Sequence, residues 1–323
     1  MPYPGDLLVE RVTGSVDRNW FFDSGRASVA ELERTLAIAG RTLDSFESIL
    51  DFGCGCGRML LWLEKIAATS RLHGADIDAE AIAWASEHIP YCRFTANAAD
   101  PPLPYEDGAF DLVFNHSVFT HIAAHRQDAW LRELHRVTRP GALLVLSVHG
   151  EWALGDQDSD AHRRLEDEGH LFVAEMRQPA ELGHPDWYAS AFHAPWYVFE
   201  HWGAWFTVRA YIPKAALGLQ DHVLLERTPD TQRRTPLAAR PRPSGDVSLH
   251  ATEQQVRAAQ SRVGTGHSRL GPVSAALRSA VLRLIRPYTA HQAATDIELA
   301  QAIDELASAS EAQARRLEAL ERD

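Results

Sequence analysis

The sequence predicts an α/β fold, a mostly parallel sheet with helices packed on both of its faces. Three observations carry that expectation. Short runs rich in Val, Leu, Ile and Phe recur along the first half: "SIL", "RLHGAD", "CRFTA", "FDLVFNHSV" and "GALLVLSVHG". Stretches with helical spacing separate them: "GRMLLWLEKIA", "DAEAIAWASEHI" and "RQDAWLRELHRVT". A glycine-rich turn, "ILDFGCGCGRML", joins the first run to the first such stretch. Strand, helix, strand at this rhythm builds parallel pairs whose crossover helices cover the sheet.

The remaining elements follow in chain order. Residues 28 to 40 place Val29, Leu32, Leu36 and Ala39 at helical spacing, with Ser28 as N-cap and Gly40 as the stop. Residues 150 to 203 break the strand–helix rhythm and crowd together Trp152, His170, His184, Trp187, Tyr188, Phe192, His193, Trp196, Tyr197, His201 and Trp202. A strand pair follows, "AWFTVRAYI" and "DHVLLER". The segment from 227 to 246 is rich in Pro and Arg and reads as a linker. Beyond it, "VSAALRSAVLRLIRPY" sets Leu277, Val281, Leu284, Ile285 and Tyr288 on one side of a helix ringed by Arg278, Arg283 and Arg286. Such a helix can lie on an anionic membrane surface, dock on a partner, pack on its own domain or dimerise. Leu299, Ile303, Leu306, Leu317 and Leu320 fit a weak heptad, a short coiled coil from 296 to 322 that would support a homo-oligomer. The expected organisation is a domain over 1–229, with a helical cap at 1–45 and an insertion at 150–203. A linker over 230–270 and a helical tail over 271–323 complete it.

Composition narrows the function classes. The 323 residues are 45% apolar, enough for a sizeable core. A formal net charge of -12 speaks against nucleic acid as an obligate partner, because phosphate binding needs a basic face. No apolar run approaches the roughly 18 residues of a transmembrane helix, and the N-terminus "MPYPGDLLVERV" lacks the pattern of a signal peptide. The 3 cysteines, Cys54, Cys56 and Cys92, do not make a disulfide framework. A cytoplasmic protein is the simplest expectation.

The glycine-rich turn admits several readings. Two cysteines one residue apart, with no second pair, lack the spacing of a zinc or thioredoxin-like site. A dinucleotide fingerprint needs its third glycine at 58, where Arg58 stands; the pattern is D-x-G-x-G-x-G, from Asp51 through Gly53, Gly55 and Gly57. A tight strand-to-helix turn that needs glycine only for its backbone remains the competing explanation. The turn sits at the carboxyl end of the first strand, where open parallel sheets bind ligands. Asp76 ends the next strand, placed to accept both hydroxyls of a ribose; Asp78 is better placed as a helix N-cap.

These residues, with "GADID", "ANAADPPLPYEDGAFDLVFNHSVFTHI" and "RVTRPGALLVLSVHG" following in order, resemble the successive motifs of class I S-adenosylmethionine-dependent methyltransferases over roughly residues 20 to 226. The resemblance implies a Rossmann-like sheet of seven strands whose last strand is antiparallel, closed by "AWFTVRAYI" and "DHVLLER". It implies S-adenosylmethionine as cofactor, with Gly53, Gly55 and Gly57 facing its methionine and ribose part and Asp51 reaching its ammonium. Asp76 would hold the ribose and Ile77 would pack on adenine. Asn97, where the family often has aspartate, would accept from the adenine amino group. The backbone N–H of Ala98 would bond the ring, and Asn115 would sit below the sulfonium. His116, next to it, is expected to point elsewhere.

Methyl transfer to a hydroxyl needs in-line alignment and a base, and histidine is the usual base at neutral pH. Among 16 histidines, His121, His149 and His193 are the candidates, each weighed against a structural role. No carboxylate cluster points to a metal. The motifs also resemble methyltransferases found with bacterial glycan and surface-polysaccharide enzymes, which implies a sugar or glycan-linked hydroxyl as acceptor. A small-molecule acceptor, and a non-catalytic scaffold that recruits partners through its tail, are the alternatives.

Overall fold

The computed structural model describes residues 1–155, 159–173 and 188–227, all within the unit Met1–Arg240. The linker, the helical tail with its coiled coil, His184 and Trp187 lie outside the described residues.

The parallel part of the sheet is formed by β1 (Ser48–Phe52), β2 (Arg71–Asp76), β3 (Cys92–Ala96), β4 (Phe110–Phe114) and β5 (Thr138–Val148). Two short strands, β6 (His170–Val173) and β7 (Ser190–His193), pair antiparallel in a separate ribbon. The large sheet is completed by β8 (Phe206–Ala216) and β9 (Gln220–Arg227), giving the order β3-β2-β1-β4-β5-β9-β8. Strand β9 runs antiparallel to both of its neighbours. This is the seven-stranded arrangement that the resemblance implies.

Alternation along the strands sorts side chains onto two cores. Ile49, Leu112, Phe114, Leu143, Val145 and Leu224 go to one face. Leu50, Val113, Leu144, Leu146, Val223 and Leu225 go to the other. The first face is covered by α1 (Asp6–Thr13), α2 (Arg18–Ile38) and α3 (Ala79–His88); the second by α4 (Ala124–Val137). The insertion adds α5 (Ser159–Glu168) and α6 (Pro195–His201), and Tyr197 and Val198 of α6 join the second core.

Two expected elements differ. The helix expected from Ser28 begins at Arg18, and its N-cap is Asp17, whose carboxylate accepts from the N–H groups of Asn19 and Trp20. Ser28 is an interior residue on a buried line of small side chains, Ser24, Gly25 and Ser28, that packs on the glycine turn. A Cβ on Gly25 would stand 2.6 Å from the Arg58 carbonyl oxygen. The expected end holds: Gly40 at φ +67 donates to the Ala37 carbonyl and Arg41 donates to that of Leu36, a Schellman closure. The helix expected over "GRMLLWLEKIA" is instead a pair of 3₁₀ turns, Leu60–Trp62 and Ile66–Ala68. Met59, Leu60, Leu61 and Leu63 are all buried. A run without a polar side has no stripe to turn toward solvent, and its backbone closes mainly i→i+3 bonds.

Candidate active site

The strand order places the site. From β1 the chain moves outward to β2 and β3, then crosses back to β4 on the other side of β1. Loops leaving β1 and β4 therefore part, and open sheets bind ligands in the crevice so formed. A cavity of about 360 Å³ lies there, within the size range of small-molecule sites.

The glycine turn makes its floor. Gly53 and Gly55 have φ of +81 and +53, and both line the cavity. A Cβ on Gly53 would stand 2.1 Å from Val118 Cγ2, and one on Gly55 2.7 Å from Val12 Cγ2. Bare backbone is thus required on both sides of a narrow cleft. Gly57 departs from the expectation. It is not in the cavity wall; its missing side chain makes room for Ile89, whose Cδ1 would lie 2.6 Å from an added Cβ. The third glycine serves packing of the turn onto the core.

Asp76 shapes the turn from β2. One carboxylate oxygen accepts from the Gly55 N–H at 2.7 Å and the other from the Asp78 N–H at 2.8 Å. Burial raises its pKa, and these backbone donors oppose the rise. Asp51 also lines the cavity and is buried; desolvation pushes it up to about 8, with Arg58 opposing and Asp76 adding to the shift. Ile77 leaves 38% of its surface exposed on the cavity rim. Asn97 donates from Nδ2 to the Ala98 carbonyl at 2.7 Å, while its Oδ1 is buried without a partner in the cavity wall. Ala98 is exposed outside the wall; Asn97 and Ala99 flank it inside. Asn115 is also outside the wall. Its Oδ1 accepts the Ser147 N–H at 2.8 Å, which turns the amide into the β4–β5 seam rather than under the cavity.

The three candidate histidines separate. His121 lines the cavity, its Nδ1 lies 3.0 Å from the Ala189 carbonyl, and its ring stacks on Tyr188 with centroids 3.9 Å apart. His149 stands behind it, 6.3 Å between ring centroids and outside the wall, lowered to about 4 by burial. His193 is fully buried in the insertion, its Nε2 2.8 Å from the amide nitrogen of Gln127, and burial holds it well below the ordinary histidine value. It belongs to a packed network with His170 and Trp202, away from the cavity.

Sequence reasoning missed several lining residues. His116 is in the wall, against expectation, and burial keeps it neutral. Ser117, at φ +66, puts the β4 loop in the left-handed region, held by a 2.7 Å bond from its N–H to Ser147 Oγ. That conformation aims His116 and Val118 inward, and such outliers concentrate at functional sites. Arg11 and Arg58 also line the cavity, as does Tyr188 of the aromatic insertion that the sequence singled out. The one signal available for Arg58 was a charge inside an otherwise apolar run. Among the described residues, no group of three or more His, Cys, Asp or Glu could hold a metal ion.

Residues 50–146 match the family described as "Methyltransferase domain". The chain is 30% identical over 146 residues to the ribosomal protein L11 methyltransferase of Geobacter metallireducens, covering 45% of this chain and 44% of that protein. It is 30% identical over 139 residues to malonyl-[acyl-carrier protein] O-methyltransferase 1 of Coxiella burnetii, covering 40% of this chain and 46% of that one. The match thus spans about half the length of these relatives. A SAM-dependent methyltransferase structure from Methanosarcina mazei is 22% identical, with a TM-score of 0.43, covering 56% of this chain and 92% of that one.

Proposed function

We propose that this chain transfers a methyl group from S-adenosylmethionine to a hydroxyl of a sugar or glycan-linked acceptor. The observation that carries the cofactor reading is the row Asp76, Ile77 and Asn97 on one rim of the cavity, with the Asn97 Oδ1 buried and unpartnered. These residues suit an adenosine. The Asp76 carboxylate has acceptor capacity left for ribose hydroxyls. Ile77 offers an apolar face to adenine, and Asn97 Oδ1 would accept from the adenine amino group. Asp51, at the other end of the Gly53–Gly55 floor, suits the ammonium. When bound, the cofactor supplies an electrophilic methyl on a sulfonium, itself a good leaving group.

The chain's own part is alignment and proton removal. His121 is the base we assign. An Nδ1–H donating to the Ala189 carbonyl makes Nε2 the basic nitrogen, and the Tyr188 stack fixes the ring plane. An aromatic face beside a base supports a sugar acceptor, which stacks while a hydroxyl reaches the imidazole. A small-molecule acceptor is the second reading. We place the activity in the cytoplasm; no helix among the described residues is long and apolar enough to cross a membrane. The tail we assign to self-association.

The test is incubation with methyl-labelled cofactor and a panel of sugar nucleotides, glycans and phenols, read by mass spectrometry. Label in the sugars is expected. Label confined to phenols would defeat the glycan reading. His121→Asn should lower kcat by roughly 100-fold or more while leaving S-adenosylhomocysteine affinity unchanged.

A further inference from the structure

Arg58 follows the glycine turn and is 6% exposed, yet no ion pair holds it among the described residues. Its single side-chain hydrogen bond runs from Nη1 to Ser24 Oγ at 2.9 Å. A guanidinium carries five N–H donors and does not shed its charge in proteins, so a buried arginine cannot escape desolvation as a lysine does. The remaining donors are not sealed in protein: none of its nitrogens is among the buried atoms without partners, and the residue lines the cavity. The acids around it are committed or neutral. Glu31 accepts the Leu217 N–H at 2.7 Å and pairs with Arg34, and Asp51 is held largely protonated by burial at neutral pH.

We propose that Arg58 is a carboxylate-binding residue of this cavity. The proposal rests on the cofactor reading for its location but not for its chemistry. A lone buried cation is costly, and an arriving anion recovers much of that cost. The planar fork matches a carboxylate through two parallel N–H···O bonds. Of the three guanidiniums in the wall, Arg11 is paired with Asp78 and Glu80 and Arg126 with Asp100, so Arg58 alone is uncommitted, which suits a monoanion. The carboxylate is either that of the cofactor's amino-acid part or that of an acceptor.

Calorimetric titrations of the full chain and of Arg58→Met distinguish these sources with three probes. S-adenosylhomocysteine carries the amino-acid carboxylate, 5′-methylthioadenosine lacks it, and propionate is a carboxylate alone. If Arg58 holds the cofactor carboxylate, the substitution weakens S-adenosylhomocysteine by roughly 10- to 100-fold and leaves 5′-methylthioadenosine within about twofold. If it serves an acceptor, both nucleosides bind the variant as they bind the parent. Propionate binding to the S-adenosylhomocysteine-saturated protein is then lost. No change for any probe overturns the proposal. Failure of both nucleosides to bind the parent protein defeats the cofactor reading instead, and Arg58-dependent propionate binding would still stand. Removing an unpaired buried cation should not lower the melting temperature, so a melt of Arg58→Met confirms that the variant is folded.

Discussion

Asp51 ends β1 buried at the cavity, and burial pushes its carboxyl up to about 8. Two consequences follow at this one residue. An ammonium needs the ionised form, so affinity for S-adenosylhomocysteine should rise with pH up to about 8 and then level, read by titration between pH 6 and 9. Stability moves the other way. The folded state keeps a proton that the unfolded chain releases above its ordinary carboxylate value near 4, so this group's contribution falls as pH climbs from there toward 8. The accumulated cost at pH 8 is on the order of 5 kcal/mol. Asp51→Asn should therefore melt higher than the parent at pH 8 and alike near pH 4, while losing cofactor affinity. His116 and Arg58 were illegible at this scale because their roles depend on direction. Nothing in "FNHSV" tells that Ser117 adopts φ +66 and swings its neighbours inward.

Elements that share a regular alternation were legible, and those built on small or uniformly buried residues were not. Helices α3 and α4 announce themselves through spaced apolar positions, and Asp78 caps α3 as its sequence position suggests. The first three turns of α2 hide theirs, because Ser24, Gly25 and Ser28 are buried for closeness to the Arg58 backbone rather than for hydrophobicity. The insertion was legible as a cluster of aromatics but not as a network. Gln127 of α4 reaches its heart: Nε2 lies 2.8 Å from the Ile122 carbonyl, 3.0 Å from His170 Nε2 and 2.8 Å from His193 Nε2, and Oε1 accepts from Trp202 Nε1 at 3.3 Å. Gln127→Leu removes all of these at once and leaves buried polar atoms unpaired. It should cost roughly 3 kcal/mol or more, measured as a lower midpoint in urea with an unchanged slope.

At the scale of the whole molecule, buried ionisable groups of opposite sign set where the fold is most stable. Burial lowers His149, His170 and His222 to about 4. Each stays neutral in the folded chain while the unfolded chain takes up protons below the ordinary histidine value near 6.5, so stability falls as pH drops from there toward 4. Carboxyls raised by desolvation, Asp76, Glu31 and Glu151 among them, oppose this, and for Asp51 the loss continues up to about 8. The melting temperature should therefore peak near pH 6.5, and thermal scans from pH 4.5 to 8.5 read it directly. The parallel strand–helix alternation was legible because crossover rhythm is written in apolar spacing, whereas the antiparallel last strand was implied only by the resemblance. The cavity was not, because its wall is assembled from the β4 loop, the glycine turn and Tyr188, distant in sequence and joined only by the fold. The central claim, that this cavity holds S-adenosylmethionine through its adenosine rim, is tested most directly by titrating S-adenosylhomocysteine into the parent chain and into a folded Asp76→Ala variant. One-site binding that weakens by roughly 100-fold in the variant is predicted. No binding to the parent, or equal binding to both, would contradict it.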